Sequence, residues 1–182
     1  MEFEPAAKYV GALLPRIRQC PGWDIRDRDT PDWYRRALSS VALLAQMGEV
    51  KHVTGDLADG RGELHLFTKH AVITLDVTTA SAVDGEAERG TRRIGTGGFP
   101  VDSDNPTATV TMYPRSGLRS IDVGGAESIS GGAEHGYYWP GQFAVVARYA
   151  DDRTITFTRR EDSTDDLVTF LPELLADLPA SR

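Results

Sequence analysis

The chain has 182 residues, is 40% hydrophobic and carries a formal net charge of −7. That acidic balance gains nothing from polyanions overall, so nucleic acid and anionic membrane are disfavoured partners. A single domain over 1–182 is the natural reading, because domains run to roughly 100–200 residues, and the only cysteine, Cys20, excludes an intramolecular disulfide and suits a reducing compartment.

The start, Met1-Glu2-Phe3-Glu4-Pro5, lacks the basic and apolar stretches of a secretory signal. No run approaches the ~20 apolar residues of a membrane span, so a cytoplasmic location is expected. Residues 1–48 read as a helical segment. Pro5 suits a first helical position, and Tyr9, Val10, Leu13, Leu14 and Ile17 fall at helical spacing until Pro15 kinks the run or ends it early. A second helix is better marked. Thr30 can cap it, Pro31 and Asp32 suit its first turn, and Trp33, Ala37, Leu38, Val41, Leu44 and Ala45 make an apolar stripe ending at Gly48.

From residue 49 to 160 the period is two. Strands are predicted at 49–56, 63–68 and 70–78, the first pair joined by the Asp59-Gly60 turn. In the third, Ile73, Leu75 and Val77 alternate with Thr74, Asp76 and Thr78, as in a sheet with one buried face. Residues 80–106 lose apolar content and gain glycines, with room for a short strand at 92–95. Strand character returns at 107–113 and 118–123. A second glycine-rich stretch, 124–136, leads to Tyr137-Tyr138-Trp139-Pro140-Gly141, and then to a hairpin of 142–149 and 153–158 around Asp151-Asp152. A closing helix over 163–178 carries Leu167, Phe170, Leu171, Leu174, Leu175 and Leu178 in one stripe, with Pro172 expected to kink or restart it. The fold class is therefore α+β: two N-terminal helices, about seven mostly antiparallel strands in a bent sheet or partly open barrel, and a C-terminal amphipathic helix.

Patterns that would carry chemistry do not assemble. Gly95-Thr96-Gly97-Gly98-Phe99-Pro100 lacks the lysine and Ser/Thr of a phosphate loop and lies between strands. His52, His65 and His70 could approach one another around a tight turn and hold a metal. Scattered strand histidines are more often packing or surface residues, and no His-Glu-x-x-His pattern exists. Asp102-Ser103-Asp104-Asn105 lacks the glycine and distal glutamate of a calcium loop. Arginines 89, 92 and 93, and 159 and 160, read as solvated faces rather than basic patches. No cofactor is implied. One cluster remains: His135, Tyr137, Tyr138 and Trp139 place large aromatics beside glycines, in a composition suited to partner or ligand binding or, through strand alternation, to a core.

The stretch Leu64-His65-Leu66-Phe67-Thr68-Lys69-His70-Ala71-Val72-Ile73-Thr74-Leu75 resembles an early hairpin of bacterial pleckstrin-homology-like domains. Pro114 to Val123 resembles their middle strand, and Arg153 to Leu178 their last strand and closing helix, so the resemblance spans about 50–178. The arginine bias, with only Lys8, Lys51 and Lys69 as lysines, fits a GC-rich bacterial genome. The resemblance implies a sheet scaffold plugged by a helix, in a family that often binds lipid headgroups or peptides. Lipid is disfavoured here, because the loop 57–62 offers only Arg61 as a base.

The reading is a cytosolic binding or scaffolding module for an unidentified protein or peptide, and not an enzyme. A small-ligand carrier or sensor with an apolar cavity is the alternative, and an enzyme of dispersed residues, using His135 or His70, the remoter one. A homodimer through the aromatic cluster or a strand edge is compatible with all three.

Overall fold

The computed structural model describes residues 11–25, 31–45, 48–58, 60–78, 106–124, 143–159 and 167–179. Among these residues there are three helices and seven antiparallel strands, in an α+β arrangement of two sheets, neither closed. The chain divides into two compact units, Met1–Tyr113 and Pro114–Arg182. The sheet expected to be one bent surface is two: β1 (Val50–Ala58), β2 (Arg61–Thr68), β3 (Ala71–Thr78) and β4 (Thr107–Pro114) in that order, and β5 (Leu118–Gly124), β6 (Phe143–Tyr149) and β7 (Thr154–Arg159) in that order. The interruption falls at Arg115–Gly117. There a turn of 3₁₀ helix replaces the continuous strand that the family resemblance places at Pro114 to Val123.

In the first unit, helix α1 (residues 11–17) and helix α2 (Asp32–Ala45) cover one face of the four-stranded sheet. Pro15 lies on the exposed side of α1, which ends two residues later, as a residue without an N–H predicts. The stripe of α2 is buried as its spacing requires, Leu44 only partly. Both helices pack on Leu57, Leu64, Leu66, Ile73, Leu75 and Val77, which alternation aims at one side of the sheet. Trp23, Ile25 and Tyr34 complete this core. The Trp23 and Tyr34 rings lie 6.0 Å apart, and the Tyr34 hydroxyl donates to the Trp23 carbonyl at 3.2 Å.

Hairpin register follows from the turns. Ala58 faces Arg61 across Asp59-Gly60, with Gly60 at φ 77. Phe67 faces Val72 across the next turn. Thr68 closes that turn by accepting from the Ala71 N–H at 3.0 Å and donating to the Ala71 carbonyl at 3.1 Å.

In the second unit, Phe143, Val145, Ala147 and Tyr149 share a buried face, as expected from alternation. The β6–β7 turn contains Asp152 at φ 62, a left-handed conformation that aspartate tolerates better than most residues. Helix α3 (Leu167–Leu175) buries Leu167, Phe170 and Leu174, and the Phe170 ring lies 6.4 Å from that of Phe157 on β7. The helix runs through Pro172, which is exposed, and ends three residues before the predicted limit. Leu171 is half-buried and Leu175 is 47% exposed, so the expected single stripe is split between core and surface.

Candidate functional site

The aromatic cluster chosen from sequence, His135, Tyr137, Tyr138 and Trp139, lies outside the described residues, as do the glycine-rich segment up to 105 and Asp102–Asn105. Cys20 is buried, its thiol 3.9 Å from the Arg16 carbonyl. The histidine trio does not converge. His52 and His65 lie on the sheet face away from the helices, opposite Phe67 and Thr54 respectively, whereas His70 is exposed in the β2–β3 turn. Among the described residues, no three His, Cys, Asp or Glu side chains are grouped to hold a metal ion.

Around His65 the same face carries a polar chain that residue-type patterns did not reveal. Its Nδ1 lies 3.1 Å from the Thr74 hydroxyl on β3, which is 3.4 Å from the Tyr113 hydroxyl on β4. Its Nε2 lies 3.4 Å from a Glu63 carboxylate oxygen on β2. Hydrogen bonding from the ring, strengthened by its charge when protonated, holds the Glu63 carboxyl below its ordinary value of 4.5.

Two proton arrangements satisfy the whole chain. With a neutral ring, Tyr113 donates to Thr74, Thr74 to Nδ1, and Nε2–H to Glu63. With an imidazolium, Nδ1–H donates to Thr74 and Thr74 to Tyr113. A hydroxyl and a carboxylate flanking an imidazole is an arrangement suited to acid–base work. Here, however, His65 is 6% and Thr74 7% exposed, and both ring nitrogens are occupied by protein partners. The chain is built to satisfy buried polar groups and to fix the alignment of β2, β3 and β4.

The two edges of the same sheet are treated in opposite ways. Along β1, Arg16 of α1 donates from its two terminal nitrogens to the Val50 and Lys51 carbonyls, both at 2.6 Å. The pairing register with β2 shifts between Val50 and His52, and there Arg16 reaches both of these successive carbonyls. Further along, the Leu57 N–H donates to the Pro21 carbonyl at 3.0 Å. That approach is close enough that a Cβ on Gly22, itself at φ 74, would sit 2.0 Å from the Leu57 oxygen. The β1 edge is thereby engaged near both ends, by α1 at Val50 and Lys51 and by the Pro21-Gly22 turn at Leu57.

At the other margin, β4 is bracketed by Pro106 and Pro114 and carries no charged side chain. Thr107, Ala108 and Thr109 are exposed, Met112 is 42% exposed, and Val110 packs partly on the core. Among the described residues, no strand pairs with its outer side. The strand was legible in the sequence. Its place at the margin was not, because residues 79–106 separate it from β3. No protein-family model, no curated protein and no solved structure matches the chain.

Proposed function

We propose that this chain is a protein-interaction module, of pleckstrin-homology-like architecture and working in a reducing, cytoplasmic setting, that takes an extended partner segment along β4. The observation that carries the reading is the unequal treatment of the two edges of one sheet. An exposed edge presents unpaired N–H and C=O groups, which proteins usually block with charge, bulges or covering segments. Among the described residues, β1 is met by Arg16 and by the Pro21 carbonyl and bears a charged lysine, whereas β4 shows no such protection beyond the prolines at its ends. Strand addition to such an edge draws affinity from main-chain hydrogen bonds and specificity from alternate side chains.

The hairpin order of the strands, and α3 packed on the last of them, support the architectural part of the reading. A binder rather than an enzyme is favoured by the fully partnered, buried state of His65 and Thr74. His135, Tyr137, Tyr138 and Trp139 are proposed as a further contact on the ground of their composition alone.

The test is selection of displayed random peptides of about ten residues on the immobilised chain, a length that matches a strand. Uncharged, alternating sequences are expected to enrich. The T109K/T111K variant, with lysines on the edge and an unchanged circular dichroism spectrum and Tm, should bind them at least about tenfold more weakly. Failure of any peptide to enrich on a chain shown by sedimentation to be monomeric, or equal binding by the variant, would overturn the assignment of β4.

A further inference from the structure

The sequence of β4 carries information about its occupant. Read outward from Val110, the strand is a palindrome of residue character. Thr109 and Thr111 stand one step away, the small Ala108 and the large Met112 two steps away, the hydroxyl-bearing Thr107 and Tyr113 three steps away, and the prolines 106 and 114 four steps away on either side. An antiparallel neighbour centred on Val110 would therefore meet like polarity at every position if it were the same strand. Threonine would face threonine, alanine would face methionine and valine would face valine. Thr–Thr and small–large apolar pairs of this kind are the units that stabilise a sheet. The two prolines, which lack N–H donors, would fall opposite each other and end the ladder at both ends together.

Charge points the same way. Two copies of a chain with net charge −7 repel, and close contact between them needs a seam free of like charges. Of the strands at sheet margins, β1 carries Lys51 and Asp56, β5 carries Arg119 and Asp122, and β7 carries Arg159. Only β4 carries none. An isologous pairing also needs no second surface, since one strand supplies both sides of the contact.

We infer that the strand taken up at β4 is β4 of a second copy of this chain, giving a two-fold dimer with its axis at Val110 and a continuous eight-stranded sheet. This rests on the reading of β4 as the open edge, and it names the partner. Whichever of the odd or even residues direct their backbone groups outward, the axis stays at Val110, because the pattern is symmetric about it.

Sedimentation equilibrium of the full chain, together with cysteine cross-linking, tests the inference. The wild type is expected to be dimeric at micromolar concentration. The T109D/T111D variant sets a new carboxylate in place of Thr109 in one copy against another in place of Thr111 in the second, at two sites related by the axis. It should weaken dimerisation at least about a hundredfold. The T109K/T111D variant turns both contacts into opposite-charge pairs and should restore the dimer, which also reports that a doubly substituted strand still folds. Under mild oxidation V110C should cross-link with itself, while T107C should not, since only residues whose Cα atoms lie within about 7 Å can be bridged. Cys20, being buried, leaves the background low.

A wild type that stays monomeric at ~100 μM, far above the affinity expected of a stable dimer, would overturn the inference. So would a dimer indifferent to T109D/T111D, or cross-linking of T107C in place of V110C. A monomer that still selects peptides through β4 would remove the second copy and leave the edge reading intact. A monomer that selects none would remove both.

Discussion

Among the described residues, the first unit covers its sheet with two helices, whereas the second has the nine residues of α3. The difference shows in what holds each cover down. Over β1–β4 the contact is apolar and broad, running from Leu13 and Ile17 through Trp23 to Val41 and Ala45. In the second unit α3 contributes Leu167, Phe170 and Leu174 as its buried side chains, and a buried arginine supplements them. Arg115, in the 3₁₀ turn, donates from Nε to Asp177 at 2.7 Å and from a terminal nitrogen to the Glu173 carbonyl at 3.1 Å, with its guanidinium 5.3 Å from the centre of the Phe170 ring. It meets the C-terminal end of the helix, where unpaired carbonyls favour a cation. A short helix with a narrow apolar stripe is thus fixed by a directional clamp, and a longer pair by area.

Breaking the clamp is expected to have the largest effect. Arg115→Ala removes one partner of a mostly buried ion pair and should cost about 3 kcal/mol, with Arg115→Met losing less because its stem still packs on Phe170. Urea unfolding measures the cost. Hydrogen exchange should show the loss in α3 and β5–β7 with β1–β3 protection retained, and uniform loss would erase the contrast between the units.

Leu174→Ala should cost roughly 2–3 kcal/mol and the exposed neighbour Leu175→Ala less than about 0.5, as read by thermal unfolding. Equal losses would mean that the surface half of the stripe also bears load.

Gly22→Ala tests the other unit. The substitution places a Cβ against the Leu57 carbonyl at a positive φ, and should cost about 1–2 kcal/mol and open the Pro21–Leu57 contact to exchange.

The smallest effect concerns Glu63, whose side chain is 66% exposed. Its carboxyl titrates lower in the folded chain than in the unfolded one, so its contribution is complete above the unfolded value and is lost as pH falls through the folded value. Glu63→Gln should therefore lower Tm slightly at neutral pH, by an amount worth a few tenths of a kcal/mol. The two proteins should converge as pH falls through the folded value of Glu63, below which both side chains are neutral. A difference that grows on acidification would contradict the sign.

Much of the fold was legible because local chemistry and tertiary structure agree. Asp59-Gly60 fixes β1 against β2, and counting back from the turn at Lys69-His70 places His65 opposite Thr74. Alternation identified the buried side of β6, and helical spacing identified α2. What escaped was set at a distance. Trp23 and Ile25 follow no period, since they belong to a segment without regular structure whose shape is dictated by Tyr34 and β1. Arg115 resembled a strand residue until its partners fifty-eight and sixty-two positions away were seen. Tyr113 completes the His65 chain from beyond an insertion that hides the register of β4. The place of β4 at the sheet margin was missed for the same reason: a strand's sequence reveals which way its side chains point, but not whether another strand lies beyond it.

The Arg16 guanidinium held against the β1 margin also bears on how far an assembly built through β4 would grow. A sheet lengthened at one margin ordinarily offers a fresh template at the other, which is how ribbons propagate into fibres. With the Val50 and Lys51 carbonyls already held by Arg16 and the Leu57 N–H by Pro21, a third chain could copy this margin only by displacing those contacts. Growth at this margin would be opposed by one residue of a helix that never enters the ladder.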